Sequence, residues 1–430
     1  MTQDQKPLGV AIVGFGTVGR SAARIVSDES HPSLRLTHIF NRAIDRKRVD
    51  VDWVTPRVVW TDDIDVVLTS DTDVVVELIG GLDPAADWIR RALESGKSVV
   101  TANKQVIAHH APELLNLARR SSRQLHFEAA VAGGIPIIHG IREGLAGDSL
   151  FRVLGILNGT CNYILTRMES DGVAFDSALH EAQELGYAEA DPTADVDGSD
   201  AQAKLAILSS VALRRQVAVL DVPLRTITTI EPIDFVYARR LGCTIRQIAR
   251  AEIGSGPGKG VLASVQPTLV SRASALARVE GSRNVVVVEG RYGGETVFSG
   301  YGAGGDPTAV AVVSDLEAIA RGSLGTGDLL PAVPAAVIKD FTAPHYVRFV
   351  VSDRPGIIAA LAKVFSRHGV NIDSVLQEPG WSKTELPFVI TLEACDSAFV
   401  EQALRESAAF DFNVRPPLWM PVLSSGESRQ

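Results

Sequence analysis

A glycine-rich turn between a strand pattern and a helix pattern is the feature that most constrains the fold of this chain. Residues 8–13, LGVAIV, have the length and apolar composition of a buried parallel strand, and the helical pattern VGRSAARIV begins at residue 18. The turn between them has the spacing GxGxxG, whose glycines allow a tight bend, close approach of a pyrophosphate and close packing of helix on strand. The N-terminus of the helix then faces the phosphates. This order predicts a Rossmann-type dinucleotide-binding domain, with cofactor contacts from Gly14, Phe15, Gly16, Thr17, Val18 and Gly19.

The end of the second predicted strand bears on the choice between NAD and NADP. Residues 34–40, LRLTHIF, form this strand, and an NAD site usually has Asp or Glu at its end for the ribose 2′-hydroxyl. Here Asn41 and Arg42 follow the strand. The cation favours a 2′-phosphate, so Arg42 is a predicted contact of NADP(H), which is the preferred cofactor. A solvated loop position for Arg42 is the other interpretation, and Asp45 could still serve NAD(H).

Further strand patterns place polar residues at the carboxyl edge of this sheet, where ligands bind in such folds. Residues 74–79 and 98–104 are predicted strands, and the second carries Thr101 and Lys104 as expected cofactor contacts. Another strand pattern, LHFE, ends at Glu128 and is followed by the small-residue segment AAVAGGIP. A backbone bent by such residues exposes carbonyl oxygens, and with Glu128 it could bind a monovalent cation. A plain tight loop is the alternative.

The composition limits the classes of protein to which the chain can belong. Its 430 residues predict two or three domains, and 46% hydrophobic with 22% charged residues is typical of a globular protein with sizeable cores. A formal net charge of -9 without a long basic run argues against a nucleic-acid partner. Apolar runs of only strand length argue against a membrane partner. Three widely spaced cysteines and the absence of a signal-peptide pattern predict a cytoplasmic location. The sequence has no CxxC or HExxH motif, so it shows no obvious zinc ligands.

The most distinctive stretch for chemistry lies in the middle of the chain. Residues 181–204, EAQELGYAEADPTADVDGSDAQAK, predict a helix, an acidic loop and a second helix. On the second helix Asp200 and Lys204 are four positions apart, so both side chains lie on one face, one turn apart. A carboxylate beside an ammonium favours its charged form, and a charged lysine aimed at a carbonyl oxygen is a proton donor. A surface ion pair is the other interpretation of this spacing.

The rest of the chain has the pattern of two further domains, which gives an α/β fold class overall. From residue 150 a strand and several helices lead into β-rich segments, as in an α+β domain. The glycine-rich segment GYGAGG includes Gly302, a further predicted cofactor contact, and precedes a helix expected to return to the nucleotide domain.

The last segment has the strand–helix–strand–strand–helix–strand order of a ferredoxin-like fold. The predicted limits are 1–148 with 305–325 for the nucleotide-binding domain, 149–304 for the catalytic and dimerisation domain, 326–344 for a linker, and 345–425 for a regulatory domain.

Together these motifs resemble homoserine dehydrogenase in the form that carries a C-terminal ACT domain. The resemblance covers essentially the whole chain and rests on GFGTVG, TANK, EAAVAGGIPII, ILNGTCNYIL, the acidic segment and GYGAGGDPTAVAVVSDL. The sequence DRPG, the helix pattern after it, and GVNI are similar to the ACT pattern. Cys161 is a departure, since it stands where the family commonly has threonine or serine.

The resemblance implies reversible NAD(P)H-dependent reduction of L-aspartate 4-semialdehyde to L-homoserine, a step on the route to threonine, methionine and isoleucine. By this resemblance Lys204 is the proton donor, Asp200 positions the substrate and Glu189 binds the substrate amino group. Lys104 matches a lysine near nicotinamide and substrate, and is the second candidate for the proton donor. A sodium-type or potassium site would use the Glu128 carboxylate with the carbonyls of Val131, Gly133 and Ile135.

The ACT-like segment implies control by an amino acid, with L-threonine as the expected effector. Its site is expected at the loop around Gly356 and across a dimer interface near Asn371, in a homodimer or homotetramer. An ACT domain that serves only assembly is the alternative. Two rival functions are another two-domain dehydrogenase for an amino-acid aldehyde or oxo acid, and a non-enzymatic NADPH-sensing regulator.

Overall fold

The computed structural model describes residues 6–254, 260–322 and 334–423. The chain divides into two compact units, of which the first comprises Met1–Val153, Ala203–Asp221 and Asn284–Ala335, and the second Leu154–Gln202, Val222–Arg283 and Ala336–Gln430. The predicted linker and the last positions of the predicted regulatory domain lie partly outside the described residues. A search of the described helices for one long and apolar enough to cross a membrane finds none.

The first unit is built on a six-stranded parallel sheet with the strand order β3-β2-β1-β4-β5-β6. The strands are β1 (Leu8–Val13), β2 (Leu34–Phe40), β3 (Val59–Thr61), β4 (Val74–Glu77), β5 (Ser98–Thr101) and β6 (Leu125–His126). β1, β4 and β5 are rich in valine and almost wholly buried, as expected for a parallel sheet covered on both faces. The strand order reverses at β1 and β4, so the carboxyl ends of these strands mark the position where such sheets bind ligands.

Helices pack against this sheet and bring in a distant part of the sequence. They are α1 (Thr17–Val26), α2 (Ile44–Lys47), α3 (Ile64–Thr69), α4 (Ala85–Glu94), α5 (Lys104–Arg120), the short α6 (Ile137–His139) and α12 (Gly305–Ala320). α12 packs along α1, and the two helices share one hydrophobic core with β1 and β4, in which Ala22, Val312 and Leu316 are fully buried. Three strands complete the unit, in the neighbour order β11-β10-β7: β7 (Leu150–Ile156), which continues into the second unit, β10 (Arg283–Gly290) and β11 (Gly294–Tyr301).

The second unit combines a group of helices with a mixed sheet. Its helices are α7 (Gly159–Asp171), α8 (Phe175–Glu184), α9 (Thr193–Val196), the first turn of α10 (Ser199–Ala212), α11 (Pro232–Arg240), α13 (Ile357–Arg367) and α14 (Ser397–Ser407). The sheet has the order β8-β9-β16-β13-β15-β14. Its strands are β8 (Cys243–Ile253), β9 (Val261–Ser271), β13 (Thr342–Val351), β14 (Ile372–Gln377), β15 (Leu386–Asp396) and β16 (Asn413–Leu423), and β12 (Val337–Ile338) pairs with β9.

The C-terminal segment has the predicted ferredoxin-like order, but it is joined more closely to the preceding sheet than the sequence indicated. Its core lies between α13, α14 and β13 to β16, with Phe349, Leu361 and Phe365 fully buried. The last strand, predicted near 412–416, extends to Leu423, and its end pairs with β9. Within the predicted linker, residues 337–338 form β12 and residue 342 begins β13. The α/β fold class, with a parallel Rossmann-type sheet, a second mixed sheet and a ferredoxin-like C-terminal segment, is confirmed.

Other element boundaries differ from the predicted ones near the polar ends of strands. The strand predicted to run from residue 98 to 104 ends at Thr101, because Asn103 caps α5 by accepting a hydrogen bond from the Val106 amide. The acidic segment is not entirely loop, since residues 193–196 form α9. At the start of α5 a polar side chain thus satisfies a backbone amide that would otherwise be unpaired.

Candidate active site

The predicted glycine turn follows β1 directly, and two of its glycines are required by contacts within the protein. Gly14 has a φ of +107°, and a Cβ atom there would lie 2.7 Å from the Leu78 carbonyl oxygen. A Cβ atom on Gly19 would lie 1.9 Å from the Gly14 carbonyl oxygen. At Gly16, by contrast, a Cβ atom would have no protein atom within 4 Å. Gly14 and Gly19 therefore serve the turn and the helix packing, whereas Gly16 leaves open the space that a pyrophosphate would occupy.

The N-terminus of α1 has features suited to an anion. Gly16 stands at the N-cap position and has no side chain to cap the helix, so the first amides have no side-chain acceptor from that position. Thr17 is exposed and Val18 half-buried, whereas Phe15 is buried with its ring 5.1 Å from Trp60 in an edge-to-face arrangement. The residues that suit a dinucleotide are thus present and open at this turn.

The end of β2 carries the predicted cation and no carboxylate. Arg42 is exposed one residue after Asn41, whose side-chain oxygen accepts a hydrogen bond from the Ala43 amide. Asp45 lies in the first turn of α2. The position of Arg42 fits the binding of a 2′-phosphate, and its role remains a prediction.

A buried carboxylate that the sequence patterns did not single out organises the neighbouring strand ends. Glu77, the last residue of β4, accepts hydrogen bonds from the Ile79 amide (2.9 Å), the Gly80 amide (3.3 Å) and the Thr101 hydroxyl (2.6 Å). Burial raises the pKa of Glu77. The sequence signal was a single acid in the apolar run VVVELI. The Thr101 hydroxyl also accepts from the Asn103 amide, so this side chain fixes the turn that leads to the half-buried Lys104.

Gly302 and the segment from Glu128 to Ile135 are packed together in the first unit. A Cβ atom on Gly302 would lie 2.0 Å from Asn284 Nδ2, and one on Gly133 would lie 2.5 Å from the Gly302 carbonyl oxygen. The next helix, α12, begins beside α1, where Asp306 Oδ1 accepts hydrogen bonds from the Ser21 hydroxyl (2.6 Å) and the Arg24 guanidinium (2.8 Å). The glycine-rich segment is therefore held by protein contacts, and the cofactor contact of Gly302 remains a prediction.

The predicted cation segment is a buried, sharply bent backbone around one carboxylate. Glu128 Oε1 accepts a hydrogen bond from the Ile138 amide (2.8 Å) and Oε2 one from the His139 amide (2.7 Å). Burial, and then the negative charge of Asp315, raise the pKa of Glu128 to about 7. The bend places Ala132 and Gly133 at positive φ values of 56° and 55°. Val131 and Ile135 are buried in this bend and Gly133 lies between them, also buried.

The second unit brings together two acids of the predicted loop through an asparagine that sequence reasoning did not assign. Asn158 Nδ2 donates hydrogen bonds to Asp195 Oδ1 (2.7 Å) and Asp200 Oδ2 (2.9 Å). Its Oδ1 accepts from the Cys161 amide (2.8 Å) and so caps α7. The Cys161 thiol in turn contacts the Asp195 carbonyl oxygen at 3.1 Å. The motif ILNGTCNYIL thus positions Asp200, and the thiol at position 161 takes part in the same arrangement.

The helix α10 carries Asp200 and Lys204 one turn apart, as the spacing predicted. Residues 201–212 of this helix are buried except for Lys204, which is half-buried, and Asp200 has only 7% of its surface exposed. Asp200 is thus unlike an acid in a surface ion pair, because its side chain is buried. Two other acids of the predicted loop, Glu189 and Asp191, are exposed.

Comparison with known proteins identifies the family to which these residues belong. Residues 136–316 match the family description "Homoserine dehydrogenase", residues 14–128 match "Homoserine dehydrogenase, NAD binding domain", and residues 345–406 match "ACT domain". A homoserine dehydrogenase of Mycobacterium tuberculosis is 44% identical over 391 residues, which are 88% of this chain and 88% of that protein. The chain belongs to the homoserine dehydrogenase family.

Two solved homoserine dehydrogenases superpose on this chain, one over nearly all of it and one over about three quarters. The enzyme of Thiobacillus denitrificans superposes with a TM-score of 0.89 at 32% identity, covering 98% of this chain and 99% of that one. A hyperthermophilic archaeal homoserine dehydrogenase in complex with NADPH has a TM-score of 0.63 at 28% identity, covering 74% of this chain and 99% of that one. As a family member the chain is an NAD(P)-dependent oxidoreductase with a nicotinamide cofactor, so the predicted family and enzyme class are confirmed and the non-enzymatic regulator is set aside.

Proposed function

We propose that the protein catalyses the reversible NADPH-dependent reduction of L-aspartate 4-semialdehyde to L-homoserine. The observation that carries this proposal is the pair of Asp200 and Lys204 on α10, in which Asn158 holds the buried Asp200 by a 2.9 Å hydrogen bond one turn before Lys204. Family membership supports the same reaction. The product lies on the route to threonine, methionine and isoleucine, and we assign the protein to that biosynthesis in the cytoplasm.

The chemical step needs a proton donor for the carbonyl oxygen of the aldehyde. The bound nicotinamide supplies a hydride to the aldehyde carbon when reduced. Lys204 donates the proton to the oxygen on which negative charge develops, a contribution of about 10²–10⁴-fold in rate for a positioned acid. Lys104, at the first position of α5, is the second candidate for this role. In homoserine oxidation the same lysine accepts the proton that the substrate hydroxyl loses.

Substrate binding uses the acids of the second unit. Asp200, fixed by Asn158, positions the substrate, and Glu189, exposed on the acidic segment, pairs with the substrate ammonium. This assignment is tested by comparing L-aspartate 4-semialdehyde with succinate semialdehyde, which lacks the ammonium. We expect kcat/KM for succinate semialdehyde to be lower by about 10²-fold or more, and Glu189→Gln to remove most of that difference. Equal values for the two aldehydes would contradict the assignment and favour a dehydrogenase for another aldehyde or oxo acid.

We assign NADP(H) as the preferred coenzyme, because Arg42 is exposed at the end of β2 where an NAD site would have a carboxylate. The six residues from Gly14 to Gly19 hold the pyrophosphate, and the open space at Gly16 fits that group. Thr101, Lys104 and Gly302 complete the predicted set of cofactor contacts.

We also propose a Na⁺ or K⁺ site at the bend after β6. The residues fit a hard monovalent cation, because a buried carboxylate oriented by two amides adjoins a backbone turned by two positive φ values. The Glu128 carboxylate would hold the ion together with the carbonyl oxygens of Val131, Gly133 and Ile135. Bound there, the ion would fix the bend against the segment of Gly302. Titration of a desalted sample with KCl, with constant ionic strength kept by tetramethylammonium chloride, should raise its thermal midpoint; an unchanged midpoint would contradict the site.

We propose further that the C-terminal domain binds L-threonine as a feedback inhibitor in a homodimer or homotetramer. A cavity at the start of α13 supports this, since Asp353, Arg354 and Gln377 line it together with Gly356 and several apolar side chains. Asn371 lies before β14 and donates a hydrogen bond to Glu393 Oε2 (3.2 Å). Saturating threonine should lower the rate or change the mass measured by light scattering. If neither the rate nor the mass changes, the proposal is contradicted and the domain serves only assembly.

A further inference from the structure

Two histidines and an aspartate converge in the first unit at a place that the proposed reaction does not use. His126 ends β6, His139 ends α6, and Asp315 lies in α12. His139 Nε2 is 3.0 Å from Asp315 Oδ1, and His126 Nδ1 is 3.6 Å from the same oxygen. The three ligand-type atoms all lie within 4.8 Å of one another. Three separate elements thus present one nitrogen or oxygen each to a common point.

The hydrogen bonding of His126 determines which of its nitrogen atoms is available. Its Nε2 lies 2.8 Å from Gln124 Oε1, an oxygen that can only accept, so Nε2 carries the proton and donates it. In the neutral ring Nδ1 then carries a lone pair and can only accept. It faces Asp315 Oδ1, a carboxylate oxygen that can also only accept. His126 is 1% exposed, and its Nδ1 has no hydrogen-bond partner among the described residues. Two buried acceptors that face each other need either a proton or a metal ion between them.

Asp315 is held so that one of its oxygens faces the two histidines. Its Oδ2 accepts a hydrogen bond from the Glu128 amide at 2.9 Å, which fixes the orientation of the carboxylate. The side chain is fully buried, and Oδ1 counts among the buried oxygens without a hydrogen-bond partner in the described part of the chain. Oδ1 also lies 3.0 Å from His139 Nε2, so this one oxygen faces both histidines.

We propose that His126 Nδ1, His139 Nε2 and Asp315 Oδ1 bind Zn²⁺ or a similar divalent transition-metal ion. Ligand atoms at about 2.0–2.2 Å from a tetrahedral zinc ion are about 3.4 Å apart, and the two distances to Asp315 Oδ1, 3.0 and 3.6 Å, lie on either side of that value. Gln124 supplies the hydrogen bond that zinc-binding histidines usually make through their second nitrogen. The His139 side chain is 22% exposed, so an ion from solvent can reach the site.

This site differs in chemistry from the bend proposed above for a monovalent cation. The bend offers only oxygen atoms, whereas two of the three ligands here are imidazole nitrogens, which favour zinc, cobalt, nickel or copper over sodium or potassium. The Glu128 carboxylate is a nearby further acid, with Oε2 at 3.8 Å from His139 Nε2, and a water molecule or this oxygen would complete the coordination. A bound ion would tie β6, α6 and α12 together.

The test is Zn²⁺ binding to the full-length protein after treatment with a chelator and desalting. Isothermal titration with ZnCl₂ should give one ion per chain, and CoCl₂ should produce the visible absorption bands of a tetrahedral cobalt site with nitrogen ligands. Zn²⁺ should also raise the thermal midpoint, because an ion bound to the folded state alone stabilises it. All three readouts are independent of the dehydrogenase reaction, so their outcome is separate from that of the proposed function.

Variants distinguish this site from chance binding at surface histidines. His139→Gln, at the partly exposed ligand, should raise the Kd for Zn²⁺ more than about tenfold while the protein remains folded. Asp315→Asn, which has the same shape, should do the same. His180→Gln removes an exposed histidine from α8 and should leave the Kd unchanged. No stoichiometric Zn²⁺ in the wild-type protein, or an unchanged Kd in both ligand variants, would overturn the proposal and leave a protonated His139 paired with Asp315.

Discussion

Asn158 Nδ2 donates a 2.9 Å hydrogen bond to Asp200 Oδ2. Both residues are buried, with 5% and 7% of their surfaces exposed. The same amide donates to Asp195, and the side-chain oxygen of Asn158 caps α7. One asparagine therefore fixes the start of α7, the acidic segment and the first turn of α10 in the second unit. Lys204 lies one turn further along α10.

Replacing Asn158 by alanine should lower catalysis without affecting nucleotide binding. The change removes two hydrogen bonds to carboxylates and one helix cap, and hydrogen bonds to charged groups contribute about 1.5–3 kcal/mol each. We expect kcat/KM for L-aspartate 4-semialdehyde to fall about 10²-fold with the Kd for NADPH unchanged by fluorescence titration. Asn116→Ala, on the exposed face of α5, is the matched control. Wild-type kcat/KM in Asn158→Ala would show that the position of Asp200 is unimportant.

The last glycine of the turn and the middle one should respond differently to alanine. Gly19→Ala places a methyl group against the Gly14 carbonyl oxygen and should lower the free energy of unfolding by about 1–3 kcal/mol. Gly16→Ala meets no protein atom and should change that free energy by less than about 0.5 kcal/mol, yet weaken NADPH binding. Urea unfolding and fluorescence titration measure the two effects. A Gly16→Ala protein that binds NADPH normally would place the pyrophosphate elsewhere.

Arg42→Ala should change coenzyme preference rather than overall activity. If the guanidinium binds the 2′-phosphate, its loss raises the KM for NADPH about tenfold or more and leaves the KM for NADH nearly constant. Arg35→Ala, an exposed arginine near the amino end of the same strand, controls for the loss of surface charge. Equal changes for both coenzymes, or none, would assign Arg42 to the solvated loop.

Stability should fall in acid because His345 is buried in its neutral form. The Trp419 indole donates to its Nδ1 at 3.0 Å, and its Nε2 donates to the Cys395 carbonyl oxygen at 3.2 Å. Burial lowers the pKa of His345 to about 4 from 6.5, while the nearby charges of Arg225 and Asp396 oppose each other. The unfolded state binds the proton first, so this contribution is present above pH 6.5 and is lost as pH falls toward 4.

The loss attributable to His345 is roughly 3 kcal/mol across that interval. Urea unfolding at several pH values measures it, and His345→Gln should give a shallower slope between the two pKa values. The control His180→Gln, at an exposed histidine, should keep the wild-type slope. A His345→Gln protein with the wild-type slope would assign the acid sensitivity to other groups.

Local patterns predicted those parts of the site that are local in sequence. The glycine turn, the strands on either side of it and the spacing of Asp200 and Lys204 depend on residues within a few positions of each other, and the structure has them where expected. The strand predicted to reach Lys104 ends at Thr101, because the cap made by Asn103 starts the next helix. The end of β16 was also missed, because its pairing with β9 joins segments far apart in the chain.

Long-range groupings of polar side chains could not be predicted from local sequence patterns. Glu77 was one acid in an apolar run, and its partner Thr101 lies on the next strand. Asn158 was part of a family motif, but its bonds to Asp195 and Asp200 depend on how α7 and α10 pack. The sequence lacks the zinc motifs CxxC and HExxH. Such local motifs give no information on His126, His139 and Asp315, which the fold brings together from three separate elements.

The most direct test of Lys204 as the proton donor is the rate of NADPH oxidation with L-aspartate 4-semialdehyde in Lys204→Met, beside wild type. Methionine keeps the length and apolar packing of the lysine stem and removes the proton donor. We expect kcat to fall about 10²–10⁴-fold with the Kd for NADPH unchanged, and Lys363→Met, at an exposed lysine of α13, should have the wild-type rate. Wild-type turnover in Lys204→Met, with the loss found instead in Lys104→Met, would contradict the assignment of the proton donor.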